Sequence, residues 1–368
     1  MIHRIRIQNY KSIRDQTVEL SPVTVLIGRS GAGKTNFCEA IRLLRDLLAL
    51  GPQKVSARMQ AAKPLTHDGS LSFCVDFTVD GYDEEFRYEI ITGIQHQPHY
   101  EALAVGKVVI FSQSQAPRIA WKVPPNVVVV PEAGPLALSR LPSIELTTAA
   151  LSCLTGGLGI YTFPYNVLEN SKMGESALRD DATNALGTLH ALWSHPRARR
   201  DRASLFAALR QLNSAVATVG LDSLQNAKQA IVGHFLGEKT LAIPLGSESS
   251  GFRRFLAHLL ALYQTPPKQT LIFEEPENGI FPGALDVLAE EFQATPEAGR
   301  GQVILTTHNP VFLNKFHADQ IRVVEMNENL ETEIGPLSPE QREALQEKLL
   351  YPGELFTVDL ARREVAVP

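Results

Sequence analysis

Apolar positions along the chain follow distinct rhythms. Residues 23–27 (VTVLI) are an unbroken run of β-branched and aliphatic side chains, which predicts a strand covered on both faces. Just beyond a glycine-rich stretch, Phe37, Ala40, Ile41, Leu44 and Leu48 recur at helical spacing. Residues 270–273 (TLIF) and 302–305 (QVIL) repeat the strand pattern, while Phe255, Leu256, Leu259 and Leu262 repeat the helical one. Between residues 71 and 121 the short runs LSFCVDFTV, FRYEII and KVVIF alternate and predict an antiparallel sheet. The Pro-rich continuation PPNVVVVPEAGP reads as loops around one buried strand, and residues 181–193 and 203–221 read as two or three short amphipathic helices. The chain has no internal repeat, no low-complexity segment, and no sustained heptads between residues 160 and 245.

The glycine-rich stretch joins the first strand to the first helix. Gly28, Gly33, Lys34 and Thr35 satisfy G-x-x-x-x-G-K-[ST], a pattern that folds backbone N–H groups around phosphate oxygens at a helix N-terminus. In that reading Lys34 reaches the β and γ phosphates and the Thr35 hydroxyl holds Mg²⁺. A dinucleotide fingerprint does not fit, because Gly31 and Gly33 are followed by Asn36 where a third glycine or alanine is needed. A glycine turn that merely contains a lysine is the plainer reading, and the strand before it and helix after it argue against that.

Two more strand ends carry candidate chemistry. The 270–273 strand runs into Glu274-Glu275-Pro276-Glu277-Asn278-Gly279, where Glu274 suits the ordering of Mg²⁺ and Glu275 the activation of an attacking water. The 302–305 strand runs into Thr306-Thr307-His308-Asn309-Pro310, where His308 suits a donor to the γ-phosphate. Read locally, EEPEN is also an acidic turn and His308 an ordinary polar residue. Upstream, Glu248-Ser249-Ser250-Gly251 precedes a helix that the serine can cap. It is equally a second phosphate-binding edge with no phosphate of its own chain to bind.

Bulk properties sharpen this picture only in part. At 368 residues the chain suffices for about two domains or one large α/β domain with an insertion. Hydrophobic content of 44% with 20% charged residues excludes wholesale disorder. Cys38, Cys74 and Cys153 are too scattered for a disulfide framework or thiolate zinc site and read as reduced, buried thiols. His96 and His99 have ligand-like spacing, but Pro98 and the loop setting argue against zinc. The net charge of −5 hides a basic start: residues 1–63 hold eleven Lys and Arg against Asp15, Glu19, Glu39 and Asp46, which suits an anionic ligand. No apolar run is long enough to span a membrane, and MIHRIRIQNYKS is unlike a signal peptide, so a cytoplasmic protein is expected.

These elements, in this order, resemble the ATPase heads of the SMC, RecF and OLD branch of the ABC ATPases, especially the compact bacterial AAA15 and AAA21 members. Residues 5–13 (IRIQNYKSI) look like the first strand and nucleotide-side loop, which places Lys11 near the nucleotide. Residues 28–35 are similar to the Walker A site, with Ser30, Gly31 and Asn36 in the cradle; 248–254 resembles the ESSG signature. Residues 271–275 match the Walker B strand, 276–279 the D-loop and 306–310 the histidine switch, while 180–186 and 353–356 are weaker landmarks. The chain departs from the pattern at Phe252, Arg253 and Phe281, and four glutamines, Gln95, Gln97, Gln113 and Gln115, compete for the Q-loop.

The resemblance implies an α/β fold: an ABC/SMC-type head with a mixed central sheet, an antiparallel side sheet and a short helical insertion. It divides the chain into a first ATPase lobe (1–165), a helical insertion (166–235) and a second lobe (236–368). It implies ATP and Mg²⁺ as ligands and a head-to-tail homodimer, in which Ser249 and Gly251 close in trans on ATP held by the partner. Too few residues follow His308 for the Toprim nuclease domain of OLD proteins, so DNA cleavage is not expected.

The expected function is therefore a Mg-dependent ATP hydrolase. Its ATP-gated dimer would serve as sensor, scaffold or clamp in DNA metabolism or anti-phage defence with a separately encoded effector. Alternatives are a RecF-like DNA-binding mediator and a scaffold holding ATP without hydrolysis; a transport ATPase fits least. Arg197, Arg199, Arg200 and Arg202 form the best nucleic-acid candidate, although a solvated charge run is the commoner origin of such a cluster.

Overall fold

The computed structural model describes residues 1–63, 69–92, 98–114, 136, 138, 145–222 and 229–364. Gln95, Gln97, Gln115, His96 and the run PPNVVVVPEAGP lie outside the described residues, as does the side chain of Gln113.

In chain order the first elements are β1 (Ile2–Tyr10), β2 (Ile13–Glu19), β3 (Val23–Ile27), α1 (Lys34–Leu50), α2 (Pro52–Ala61) and the strands β4 (Leu71–Phe77), β5 (Phe86–Thr92), β6 (Pro98–Val105) and β7 (Val108–Ser114). Then come α3 (Glu145–Leu154), β8 (Leu158–Tyr161), α4 (Ala185–Ser194), α5 (Arg199–Leu212), β9 (Val216–Asp222), β10 (Gln229–Leu236), β11 (Lys239–Pro244) and α6 (Ser250–Tyr263). The last are β12 (Thr270–Glu274), α7 (Leu285–Glu297), β13 (Gln302–Thr306), α8 (Pro310–Leu313), β14 (Ile321–Met326), β15 (Thr332–Pro336) and α9 (Pro339–Gln346). The chain forms two compact units. One comprises Met1–Leu158, Ala318–Leu350 and Val358–Pro368; the other comprises Gly159–His317 and Tyr351–Thr357.

In the first unit, β2, β1, β4, β5, β6 and β7 pair in that order into an antiparallel sheet. Alternation places Ile5, Ile7, Phe73, Val75, Tyr88 and Ile90 in the core. On the opposite face Asp76 is buried between the guanidinium groups of Arg4 and Arg87, and these two cations hold its carboxyl below the usual range despite burial. The fully buried β3 pairs in parallel with β14, and β14 in antiparallel with β15, which makes this strand group mixed. The expected helical face of α1 is in place: Phe37, Ala40, Ile41, Leu44 and Leu48 are all buried. The helix stops at Gly51, whose N–H reaches the carbonyl of Leu47.

In the second unit, β13 and β12 pair in parallel and β8 lies beside β12. Helix α6 is buried on nearly all sides, well beyond the stripe its spacing predicts. Phe163, Phe273 and Phe292 surround the ring of its His258. Burial pushes that imidazole down to about 4.

Residues 203–221 differ from their helical reading. The helix ends at Leu212, and Val216–Asp222 is instead a strand in an antiparallel sheet ordered β11, β10, β9. Cross-strand pairing with β10 outweighs the weak amphipathic pattern there. The thiols of Cys38 and Cys153 are buried, Cys74 is half-buried, and all three are unbridged.

Candidate functional site

The loop from Gly28 to Gly33 is built for close approach. Gly28, Gly31 and Gly33 all have positive φ, 152°, 82° and 108°. A Cβ on Gly28 would fall 2.0 Å from the carbonyl oxygen of Val324, and one on Gly33 2.0 Å from the Thr332 hydroxyl. A Cβ on Gly31 would meet nothing within 4 Å, so that side of the loop is open. Ser30, Gly31 and Thr35 are exposed around it.

Lys34 opens α1 and turns back into the loop. Its ammonium is buried and donates to the carbonyls of Gly28 at 2.9 Å and Arg29 at 3.1 Å. No side chain caps the helix, and its first turn carries no acid. A buried ammonium, positive-φ glycines and an uncapped helix N-terminus together favour a polyanion. Residues remote in sequence brace this loop. Asn36 donates to the Ser12 hydroxyl at 2.7 Å, Ser12 and Thr332 hydroxyls lie 2.6 Å apart, and Thr332 donates to the Ala32 carbonyl at 3.0 Å. The sequence points to Asn36 for the cradle itself; Ser12 and Thr332 carry no such signal. Lys11 has its ammonium paired with Glu39 of α1, and its φ is +47°.

The second unit holds the acidic loop after β12 and the loop after β13 that carries His308. Glu274, ending β12, accepts from the Thr162 hydroxyl at 3.0 Å. Glu275 sits at φ +46°, a left-handed conformation that non-glycine residues keep only where surroundings impose it. Its N–H donates to the Thr306 hydroxyl at 3.1 Å, and one carboxylate oxygen accepts from Asn278 at 2.6 Å. The other lies 3.6 Å from Nε2 of His308, so the two loops bring these two candidates face to face. The His308 ring also lies against Phe356, with centroids 6.4 Å apart.

In the sequence Glu277 reads as part of an acidic turn and of the segment that resembles a D-loop. It is buried; its Oε1 accepts from the Thr307 hydroxyl at 2.6 Å and from the His308 N–H at 3.1 Å. Desolvation raises its pKa. The spacing of Glu277 from a strand end was readable, but burial was not.

In the 248–254 segment Ser249 is the N-cap of α6, accepting from the Phe252 N–H at 3.2 Å. Ser249 is exposed, and Gly251 leaves little room: a Cβ there would lie 3.1 Å from the Gly279 carbonyl. The unusual Arg253 is buried and donates to the Gly246 carbonyl at 2.5 Å, bracing the turn before the signature. Arg254 donates to the carbonyl of Asn278, and Phe281 is exposed.

Arg197, Arg199 and Arg200 are exposed. Arg202 is half-buried and donates to the carbonyls of Leu192, Trp193 and His195 at the end of α4, which gives it a structural task. Among the described residues there is no cluster of three or more His, Cys, Asp or Glu poised for a metal, and no helix is long and apolar enough to cross a membrane.

Two family models match the chain. Residues 1–80 match AAA_15, "AAA ATPase domain", and residues 164–314 match AAA_21, "AAA domain, putative AbiEii toxin, Type IV TA system". Chromosome segregation protein sudA of Emericella nidulans is 36% identical over 92 residues, 23% of this chain and 7% of that protein. The chain thus matches only a small part of this curated relative. Among solved structures, an Smc head bound to the C-winged helix domain of ScpA is 14% identical with a TM-score of 0.59, covering 93% of this chain and 99% of that one. An Smc head with an extended coiled coil, bound to the C-terminal domain of ScpA derived from Pyrococcus furiosus, is 13% identical with a TM-score of 0.54, covering 95% and 99%. The fold is that of an SMC head domain, α/β with mixed and antiparallel sheets.

Proposed function

Taking as premise that the chain is an SMC/RecF-like ABC-type ATPase, we propose that it hydrolyses ATP and uses the nucleotide to gate a homodimer. The observation that carries this reading is the 3.6 Å approach of His308 to Glu275, at the ends of two paired parallel strands. Lys34, with the N–H groups of Gly28, Ser30, Gly31 and Gly33, takes the phosphates; Asn36 steadies the loop and Lys11 lies on the nucleotide side. Thr35 with its hydroxyl and Glu274 with its carboxylate are the residues that would hold Mg²⁺, whose charge would neutralise the phosphates. Glu275 takes the proton of the attacking water, and His308 donates to the terminal phosphate. The strained backbone at Glu275 fixes its carboxylate before substrate arrives, which lowers the cost of positioning.

Ser249 and Gly251 have the chemistry to cap a phosphate from outside, because the serine is exposed at a helix N-terminus. In this reading they act on ATP held by a second copy of the chain. Association then follows ATP binding, and release follows hydrolysis. Such a dimer serves as sensor, scaffold or clamp in DNA metabolism or defence, with an effector encoded separately, in the cytoplasm. The exposed Arg197, Arg199 and Arg200 favour a second reading, direct binding of nucleic-acid backbone by a RecF-like mediator.

The deciding experiment is steady-state ATP turnover with Mg²⁺, together with molar mass by light scattering, for wild type and Glu275→Gln. Wild type is expected to turn over ATP and the variant to lose about 100-fold or more while accumulating as an ATP-bound dimer. Equal turnover in the two proteins would defeat the hydrolytic reading. A monomer under every nucleotide condition would defeat the gated dimer.

A further inference from the structure

The acidic loop after β12 and the switch loop after β13 are stitched together by hydrogen bonds that do not involve the reacting groups themselves. One is Glu275 N–H to the Thr306 hydroxyl at 3.1 Å. The other two converge on a single atom, Oε1 of Glu277, from the Thr307 hydroxyl at 2.6 Å and the His308 N–H at 3.1 Å. The second oxygen of that carboxylate, Oε2, is buried with no hydrogen-bond partner among the described residues. A buried carboxyl group with a half-unsatisfied head is costly to keep, and a threonine hydroxyl alone would be served as well by water. What this group provides besides is an acceptor for the backbone N–H of His308, the residue whose ring faces Glu275 at 3.6 Å.

We propose that Glu277 is the positioning residue of the switch: it fixes the backbone of His308, and so holds the imidazole against the Glu275 carboxylate. The proposal rests on the hydrolytic reading above. Glu277 itself touches neither water nor phosphate. Removing it takes away the acceptor shared by the His308 N–H and the Thr307 hydroxyl, so the loop after β13 loses both of these ties to the acidic loop. Misplacing a catalytic group in this way lowers the chemical step and leaves nucleotide binding alone.

The test is a double-mutant cycle on ATP turnover using Glu277→Ala, His308→Ala and the double variant, with Glu277→Gln and Thr307→Val alongside. Glu277→Ala is expected to lower kcat ten- to about a hundredfold with KM changed by less than about twofold. The double variant should be no slower than His308→Ala alone, since both changes remove one function. Glu277→Gln should recover most of kcat, because its amide oxygen accepts the same two bonds. Thr307→Val is nearly isosteric and gives the same pattern more weakly, which keeps the test open should Glu277→Ala fail to fold. Effects of Glu277 and His308 that multiply, or a loss confined to KM, would overturn the positioning role while leaving the hydrolytic reading intact. A wild type no faster than Glu275→Gln would overturn both.

Discussion

The hydroxyls of Ser12 and Thr332, 320 positions apart in the chain, lie 2.6 Å from each other behind the glycine-rich loop. Neighbouring bonds fix the direction of each proton. Asn36 donates to Ser12, Ser12 therefore donates to Thr332, and Thr332 donates to the Ala32 carbonyl. The relay ends on the loop and excludes a Cβ at Gly33, since that atom would sit 2.0 Å from the Thr332 oxygen.

Thr332→Val should break this relay with almost no change of shape. It leaves the Ala32 carbonyl and the Ser12 hydroxyl without their partner, which costs about 1 to 3 kcal/mol for buried groups. The expected outcome is a loss of that size in urea denaturation, with weaker ATP binding in calorimetry. Thr332→Ser keeps the hydroxyl and should restore both. Weak ATP binding with full stability would show that the relay does not support the fold.

How far the chain could be read from its sequence depended on whether the signal was local. The buried run of β3, the glycines after it and the apolar face of α1 stand next to one another, so strand, loop and helix were legible together. The same holds for β12 and β13, whose apolar runs end directly in Glu274, Glu275 and His308. The Ser12–Thr332 relay was not legible, because a hydrogen bond between distant hydroxyls leaves no periodicity in either segment. The sheet of β9, β10 and β11 was missed for another reason. Its β10–β11 hairpin turns on Gly237 and Glu238, with Gly237 at φ +60°, and that two-residue signal was present. Gly233 in β10 obscured it; the glycine is there because Thr218 and Thr240 crowd it from both neighbouring strands.

His258 makes stability depend on pH. Its ring is buried among phenylalanines, its Nδ1–H donates to the Arg254 carbonyl at 2.7 Å, and its pKa falls from 6.5 to about 4 because burial opposes the charged form. Between these two values the unfolded chain binds a proton that the folded chain refuses. Stability therefore rises with pH across this window, is fully present above 6.5, and is lost as pH falls toward 4. The expected contribution is on the order of 3 kcal/mol. It is measured as the difference between wild type and His258→Phe in urea denaturation at pH 4.5, 5.5 and 7. Parallel pH profiles for the two proteins would show that His258 is not the group responsible.

The arginine cluster divides into two tasks that one set of variants can separate. Arg202 is spent on the carbonyls of Leu192, Trp193 and His195, at 2.9, 3.0 and 3.4 Å, where it satisfies the end of α4. Arg202→Ala should therefore cost stability, about 1 to 2 kcal/mol, whatever the ligand. Arg197, Arg199 and Arg200 are exposed, so reversing them to glutamate should leave unfolding within about 0.5 kcal/mol of wild type. If these three meet a nucleic-acid backbone, wild type binds duplex DNA in a salt-sensitive manner, seen as fluorescence anisotropy that falls steeply between 50 and 200 mM salt. The triple reversal then abolishes that binding, and Arg202→Ala leaves it in place. DNA binding unaffected by the reversal would place the contact elsewhere, and no binding at any salt would remove the mediator reading and leave the ATP-gated scaffold.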